Sequence, residues 1–363
     1  MVLAGGGSGG HIYPALAMAG GLQERLGDGV DIQYVGGAGG MEQDLVPRAG
    51  VSFHGIRAGG LLKPGIASKV RGAWRTSGGL WQSLLLLRRL RPDVVVGTGG
   101  YVAGPVGLAA SWLHVPLVVQ EQNVWPGLTN RWLARRASLV LAPHAESVRY
   151  FPDGTRLRVV GNPVRASLAA RDRAAARAAL GIPDNWVLVV ATGGSQGAPA
   201  INRLMAGVWR AQDAMQEGAI LWACGPRHRK EVEEMVGEPV EHRLRWVEYL
   251  YDMDDALAAA DLVVGRAGAM TLAEAAARGL PQVLVPSPHV SENHQERNAR
   301  HVEQAGAAVV VRETEVETLG VGVVLDMMHD APRREAMGAA ASRLHHADAL
   351  ERMVDAVVEV AAR

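Results

Sequence analysis

The sequence predicts an α/β chain built from two nucleotide-type, Rossmann-like domains in tandem, each a parallel sheet with helical crossovers. Three observations predict it. Asp93-Val-Val-Val-Gly97-Thr-Gly-Gly100, a small-residue helix and Val115-Pro-Leu-Val-Val119 are answered by Asp261-Leu-Val-Val-Gly265-Arg-Ala-Gly268, a second such helix and Leu280-Pro-Gln-Val-Leu284. Each half also opens with a glycine-rich turn after an apolar run, Gly5-Gly-Gly-Ser-Gly-Gly10 and Gly193-Gly-Ser-Gln-Gly197. Finally, 363 residues with 48% hydrophobic content suffice for two buried cores. A ligand is expected between two such domains.

The elements follow in order. Val2–Ala4 reads as the first strand, running into glycines and a helix from about Ile12 to Leu26, and Ile32–Val35 reads as the second strand. Val94–Val96, Leu117–Val119 and Leu139–Ala142 alternate with helical patterns, so parallel pairing with right-handed crossovers is expected. The first domain (1–163) closes where Asn162-Pro163 breaks the chain. The second (164–340) takes its strands from Val187–Ala191, Ile220–Ala223, Arg245–Val247, Leu262–Val264, Val283–Val285 and Ala308–Val311. From Pro332 the pattern is helical, and the tail 341–363 is expected to pack back on the first domain.

Charge and cysteine bound the setting. The net charge is zero, but residues 1–163 hold 16 Lys+Arg against 9 Asp+Glu, and the remainder is acidic by the same margin. The basic excess is densest in Lys63–Arg91, where Lys63, Lys69, Arg71, Arg75, Arg88, Arg89 and Arg91 are interleaved with Trp74, Trp81 and Leu84–Leu87. Such a segment suits an anionic lipid surface, and equally a solvated helix face with an apolar side in the core. The single cysteine, Cys224, reads as a small core residue, and with no basic leader before the first strand a reducing cytosol is expected. No charge lies between Asp93 and Glu121, yet Gly97, Gly99, Gly100, Gly104, Pro105, Gly107 and Pro116 punctuate the run, so a transmembrane span is rejected.

Gly5, Gly7 and Gly10 satisfy G-x-G-x-x-G, but Ile32-Gln-Tyr-Val35 is followed by Gly36-Gly37 without the acid that a dinucleotide ribose needs. No Gly-Lys-Ser/Thr closes a glycine run, so a Walker loop is excluded. What remains is anion binding by backbone N–H groups at helix starts, with Ser195 adding a hydroxyl in the second half. His11 falls in the first helical turn, where the dipole disfavours imidazolium and keeps a neutral general base; a histidine that merely hydrogen-bonds the loop is the alternative. Glu274 suits two vicinal ribose hydroxyls, or else is an ordinary glutamate favourable to the helix dipole. Asp252-Met-Asp254 has the spacing of a metal-binding pair but precedes an alanine-rich helix that it can cap, and no metal is expected.

Taken together, Gly5-Gly-Gly-Ser-Gly-Gly-His11, Gly99-Gly-Tyr-Val-Ala-Gly104, Glu121-Gln-Asn123, Gly161-Asn-Pro-Val-Arg165, Gly193-Gly-Ser-Gln-Gly-Ala198, Tyr251-Asp-Met253, Arg266-Ala-Gly-Ala-Met-Thr-Leu-Ala-Glu274 and Asn293-His-Gln295 with Asn298-Ala299 resemble the MurG family. Its members are the bacterial N-acetylglucosaminyltransferases that convert lipid I to lipid II in peptidoglycan synthesis. The resemblance implies a GT-B fold, a membrane-facing acceptor domain first and a UDP-N-acetylglucosamine domain second. It implies that Ser8, Gly9 and Gly10 line the diphosphate and acceptor side. Asn123, Ala269 and Gln295 would hold the sugar beside His294, and Arg165 and Leu250 would border the uracil. Ser195 would meet a phosphate, Met270, Thr271, Leu272 and Ala273 would complete the donor run, Glu274 would take the ribose, and His11 would be the base. Further implications are an inverting transfer to the muramyl C4 hydroxyl without metal or other cofactor and a peripheral place on the cytoplasmic face of the cell membrane. Cell-wall synthesis and division proteins would be partners, and nucleic acid would not. Gln120 stands where the family usually has His, and Ser8 where Thr is common. A UDP-N-acetylglucosamine 2-epimerase, another lipid-directed transferase or a nonenzymatic nucleotide-sugar module would share the fold.

Overall fold

The computed structural model describes residues 1–59, 66–211 and 217–363, with the backbone alone at 66–76, 166 and 291. The chain divides into two compact units, Met1–Pro163 with Ala347–Arg363, and Val164–His346. The first is built on β1 (Val2–Gly5), β2 (Gln33–Gly37), β3 (Ser52–Ile56), β4 (Val95–Gly99), β5 (Leu117–Gln120), β6 (Leu139–Ala142) and β7 (Leu157–Val159). They form one parallel sheet in the order β3-β2-β1-β4-β5-β6-β7. The order reverses between β1 and β4, where an open α/β sheet offers its crevice at the carboxyl ends of the strands. There Ala4 lies opposite Gly97 but Gly5 opposite Gly99, a bulge beside the two glycine turns.

β3 and β7, both edge strands, are absent from the sequence reading because neither carries an uninterrupted buried apolar run. β3 buries only Ile56 fully and interrupts its apolar residues with Ser52, His54 and Gly55. An edge strand packs on fewer neighbours and carries a weaker apolar signal. The charge-free run is explained by place. β4 and β5 are buried along their whole length, and helix Gly100–Trp112 packs on β1, β4 and the helix Ile66–Leu90. Each Val or Leu so buried contributes about 1.5–3 kcal/mol, and an unpaired charge there would cost several. Among the described residues no helix is long and apolar enough to cross a membrane.

The second unit repeats the plan with β8 (Val187–Thr192), β9 (Gly218–Ala223), β10 (Leu244–Val247), β11 (Leu262–Gly265), β12 (Gln282–Leu284) and β13 (Ala308–Val310). Their parallel order is β10-β9-β8-β11-β12-β13. The repeated sequence segments are thus β4 and β11, each hydrogen-bonded to the first strand of its own sheet. Asp261, which opens the second copy, accepts from Leu188 N (2.8 Å), Arg173 Nη2 (2.6 Å) and Arg177 Nη1 (3.1 Å) and so ties helix Arg173–Leu180 to β8. Cys224 is buried beyond β9, and burial pushes its thiol pKa up, as befits a core residue.

Helix Ala331–Leu344 runs unbroken through residue 341, so the passage back to the first unit comes at Ala347. Helix Ala349–Ala361 then packs on Gly9–Leu26, with Met353, Val354, Val357 and Val360 joining Ile12, Met18 and Leu22 in one cluster. Gly21 permits the approach, since a Cβ there would lie 2.9 Å from Val354 Cγ2.

Candidate functional site

In the first unit the candidate residues gather at the carboxyl ends of β1, β4 and β5. Helix Gly9–Leu26 starts three residues before the expected Ile12, with Ser8 as an extended N-cap whose carbonyl receives His11 N and Ile12 N. Ser8 and Gly10 are exposed and Gly9 is half-buried, so this first turn presents amides to solvent. The second glycine turn packs directly on the first. A Cβ on Gly100, at φ +75°, would lie 2.0 Å from Gly6 O, a place only glycine can fill.

His11 stands third in its helix, and its Nδ1 lies 3.0 Å from Thr98 O and 3.2 Å from Gln122 Oε1. Both neighbours accept, so the neutral ring carries its proton on Nδ1 and its lone pair on Nε2. Thr98 Oγ1 also donates to His11 O at 2.7 Å. Asn123 sits on the next loop, its Nδ2 donating to Glu121 Oε1 at 3.0 Å.

Glu121 is 1% exposed and is the organiser of that loop. Its Oε1 accepts from Gln122 N (2.9 Å), Asn123 N (2.9 Å) and Asn123 Nδ2, and its Oε2 from Gly127 N (3.0 Å) and Asn130 Nδ2 (2.8 Å). A carboxylate so engaged orders backbone rather than moving protons.

Sequence reasoning missed Glu42, which is fully buried under the first turn and accepts from Gly37 N at 2.8 Å. A Cβ on Gly6, Gly36 or Gly40 would lie within 2.5 Å of its side chain, so these glycines make room for a carboxylate. Burial, and then Glu42, raise the Tyr101 phenol above its ordinary pKa. The repeated glycines after β2 were the available signal for such a close approach.

In the second unit the equivalent ends are those of β8 and β11. Gly193–Gly197 leads into helix Pro199–Arg210, with Ser195 exposed. A Cβ on Gly197, at φ +74°, would lie 2.1 Å from Cys224 O, and Asn202 holds that carbonyl at 3.1 Å. Glu274 lies midway along helix Ala269–Ala277, its side chain 18% exposed. Arg165 Nη2 reaches it at 3.3 Å and Asp254 Oδ1 at 2.7 Å. Burial is the main reason the Glu274 carboxyl is raised above its ordinary pKa, with Arg165 opposing and Asp254 adding to the rise.

Leu272 is the buried member of the run 269–273. Its side chain is buried against the cluster of Leu284 and Ala299, so a ligand could reach only its backbone, because helical spacing turns one residue in this run inward. Ala269, Met270, Thr271 and Ala273 are half-buried. Gln295 Oε1 accepts from Ser287 N at 2.9 Å, and Asn298 Nδ2 donates to Ala267 O at 3.2 Å, binding helix His294–Gln304 to the neighbouring loops. Leu250 is half-buried against the core that includes Leu188 and Leu257. Asp252 occupies the N-cap of Met253–Ala259 but makes no side-chain capping bond. Asp254 is engaged by Arg165 and, at 2.6 Å, by Ser167 Oγ.

Lys63 and the side chains of Lys69, Arg71, Trp74 and Arg75 lie outside the described residues. Trp81 (61% exposed), Leu85, Arg88 and Arg89 form an outward stripe at helical spacing, and Trp112 is exposed on the adjoining helix.

Two family models match the chain, the glycosyltransferase family 28 N-terminal domain over residues 1–142 and its C-terminal domain over residues 188–353. A Moorella thermoacetica protein is 41% identical over 365 residues, covering 99% of this chain and 98% of its own. It is named UDP-N-acetylglucosamine--N-acetylmuramyl-(pentapeptide) pyrophosphoryl-undecaprenol N-acetylglucosamine transferase. The crystal structure of Acinetobacter baumannii MurG superposes with a TM-score of 0.77 at 26% identity, covering 99% of both chains. The Neisseria meningitidis UDP-GlcNAc 2-epimerase superposes at 0.69 with 14% identity over 99% of each chain, a likeness of fold alone.

Proposed function

The chain belongs to glycosyltransferase family 28, and we infer from that membership and from its two sets of loops how it works. It has the GT-B fold and transfers N-acetylglucosamine from UDP-N-acetylglucosamine to N-acetylmuramyl-(pentapeptide) pyrophosphoryl-undecaprenol, lipid I, in peptidoglycan synthesis. The epimerase alternative is not favoured, because its support is a shared fold while the near-full-length relative is a transferase.

The observation that carries the mechanism is the pairing of glycine turns at the order reversal of each sheet, β1 with β4 and β8 with β11. The first unit handles the acceptor. His11 Nε2 takes the proton of the muramyl C4 hydroxyl as that oxygen attacks the donor's anomeric carbon, and Ser8, Gly9 and Gly10 meet the acceptor diphosphate. The second unit holds the donor. Glu274 takes the ribose hydroxyls, Arg165 and Leu250 border the base, Gln295 holds the sugar, and Ser195 with the neighbouring amides receives the charge on departing UDP. The C1–O bond to phosphate breaks as the new C1–O4 bond forms, a single displacement giving a β-1,4 link. Radiolabelled transfer to a lipid I analogue, with and without chelator, tests this; a chelator-sensitive rate overturns the metal-free step.

Glu274 makes donor affinity pH-dependent. Ribose hydroxyls donate to the ionised carboxylate, so calorimetry should show UDP affinity falling as pH drops through the raised Glu274 value, and Glu274→Gln should lack that limb. The stability sign is opposite. A folded-state value above the unfolded one favours the fold below the unfolded pKa, and that contribution is lost as pH rises through the folded one, so Glu274→Gln should melt no lower than the parent at neutral pH.

The stripe of Trp81, Leu85, Arg88 and Arg89, with Trp112 nearby, supports docking on an anionic membrane surface, where the acceptor's polyprenyl tail resides. Reversing Arg88 and Arg89 to Glu should weaken vesicle binding about ten- to hundredfold while turnover of a soluble acceptor stays unchanged. Equal loss in both assays would assign the stripe a folding role.

A further inference from the structure

Behind His11 lies a chain of side-chain amides that fixes its own direction. Gln120 Nε2 donates to the carbonyl of Glu121 at 3.0 Å, which leaves Gln120 Oε1 to accept. Gln122 Nε2 donates to that oxygen, and also to Thr98 O at 2.8 Å. Gln122 Oε1 is then the atom presented to His11 Nδ1 at 3.2 Å. The reverse orientation of Gln122 would set its oxygen against the carbonyl of Thr98 and Oε1 of Gln120, so the network decides the amide assignment.

Gln120, Gln122 and Thr98 are each 2% exposed or less. The Gln122 main chain is held as firmly, its N–H by Glu121 Oε1 at 2.9 Å and its carbonyl by Asn162 Nδ2 at 2.9 Å. Every polar group of Gln122 is therefore engaged, and its position is set by β4, β5 and the end of the first unit together.

We propose that Gln122, braced by Gln120, is a positioning residue that orients His11 and favours the protonated ring formed during transfer. The proposal rests on the reading of His11 as the base. An acceptor on Nδ1–H does two things. It keeps the neutral ring in the tautomer whose lone pair is on Nε2, and it stabilises the imidazolium once Nε2 has taken the acceptor's proton. Neither glutamine titrates, so this support is the same at every working pH. Among the described residues, the charged and titratable groups on the surrounding elements include Glu121 on the same loop, Glu42 on helix Glu42–Arg48, Tyr101 on helix Gly100–Trp112, Tyr34 on β2 and Arg131 on helix Leu128–Ala134. The variants below leave all of these in place.

Gln122→Met keeps the volume and removes both halves of the amide. It should lower kcat about ten- to hundredfold with the donor KM within about twofold, and move the acid limb of the kcat–pH profile to lower pH. Gln120→Met, one link further back, should shift the limb the same way by less. Histidine-labelled nitrogen NMR of the parent, with the His11 signal assigned by its loss in His11→Ala, should show Nδ1 protonated in the neutral ring. An acid limb unmoved in a folded Gln122→Met chain, or a parent ring protonated at Nε2, overturns the relay even where His11→Ala abolishes transfer. A His11→Ala chain that keeps its rate overturns the base reading and with it the relay's catalytic part, whatever the tautomer. Should Gln122→Met fail to fold, the parent NMR and the Gln120→Met profile decide the matter.

Discussion

Replacing His11 by alanine should lower kcat by about 10²–10⁴-fold, the usual contribution of a positioned general base, while UDP affinity changes less than about threefold. The separation follows from where the two functions sit. His11 is held by Thr98 and Gln122 at the ends of β4 and β5, whereas Glu274, Arg165 and Ser195 belong to the other unit and its own sheet. A residual rate should survive, because donor binding and the amides that receive the leaving charge are untouched. Initial rates with radiolabelled donor at saturating lipid I analogue measure the first quantity and calorimetry with UDP the second. A rate loss under about fivefold would remove His11 from the chemistry and leave it as a loop ligand.

The largest expected loss of stability is at Glu121. Glu121→Ala strands five N–H groups around a site 1% exposed, and should cost about 3–5 kcal/mol after partial relaxation. For a unit of this size that corresponds to a fall in Tm of about 10 °C. Glu121→Gln should fall between, because one oxygen remains while an NH₂ is turned on donors at Gly127 and Asn130, or on those at Gln122 and Asn123. Thermal melts beside transfer rates separate the roles. If Glu121→Gln melted with the parent and yet lost most of its rate, Glu121 would be a participant in proton transfer rather than the organiser of its loop.

Much of the candidate site was legible because glycine turns announce themselves. Gly5–Gly10, Gly99–Gly100 and Gly193–Gly197 follow apolar runs and precede helices, and the structure puts each at the carboxyl end of a strand beside the order reversal. Glu274 and Arg165 could be chosen by residue type, yet not their pairing, since 109 positions separate them and nothing local couples them. Glu42 was invisible for the opposite reason. Its surroundings are glycine backbone, so no partner side chain marks it, and only the absence of three Cβ atoms records its presence. Leu272 could not be told from its neighbours until the helix turned it into the core.

By itself the sequence determined that two parallel sheets would form, where their phosphate-type turns would fall, and that a histidine would open the first helix. These are local properties, set by apolar runs, glycine spacing and helix starts within a few residues of one another. Tertiary structure alone decided which nitrogen of His11 holds the proton, which carboxylates order loops and which arginine pairs with Glu274. Those outcomes depend on partners brought in from other elements, the acceptors Thr98 and Gln122 to His11 and the donors Asn130 to Glu121 and Arg165 to Glu274, and hydrogen-bond direction exists only once both partners have arrived.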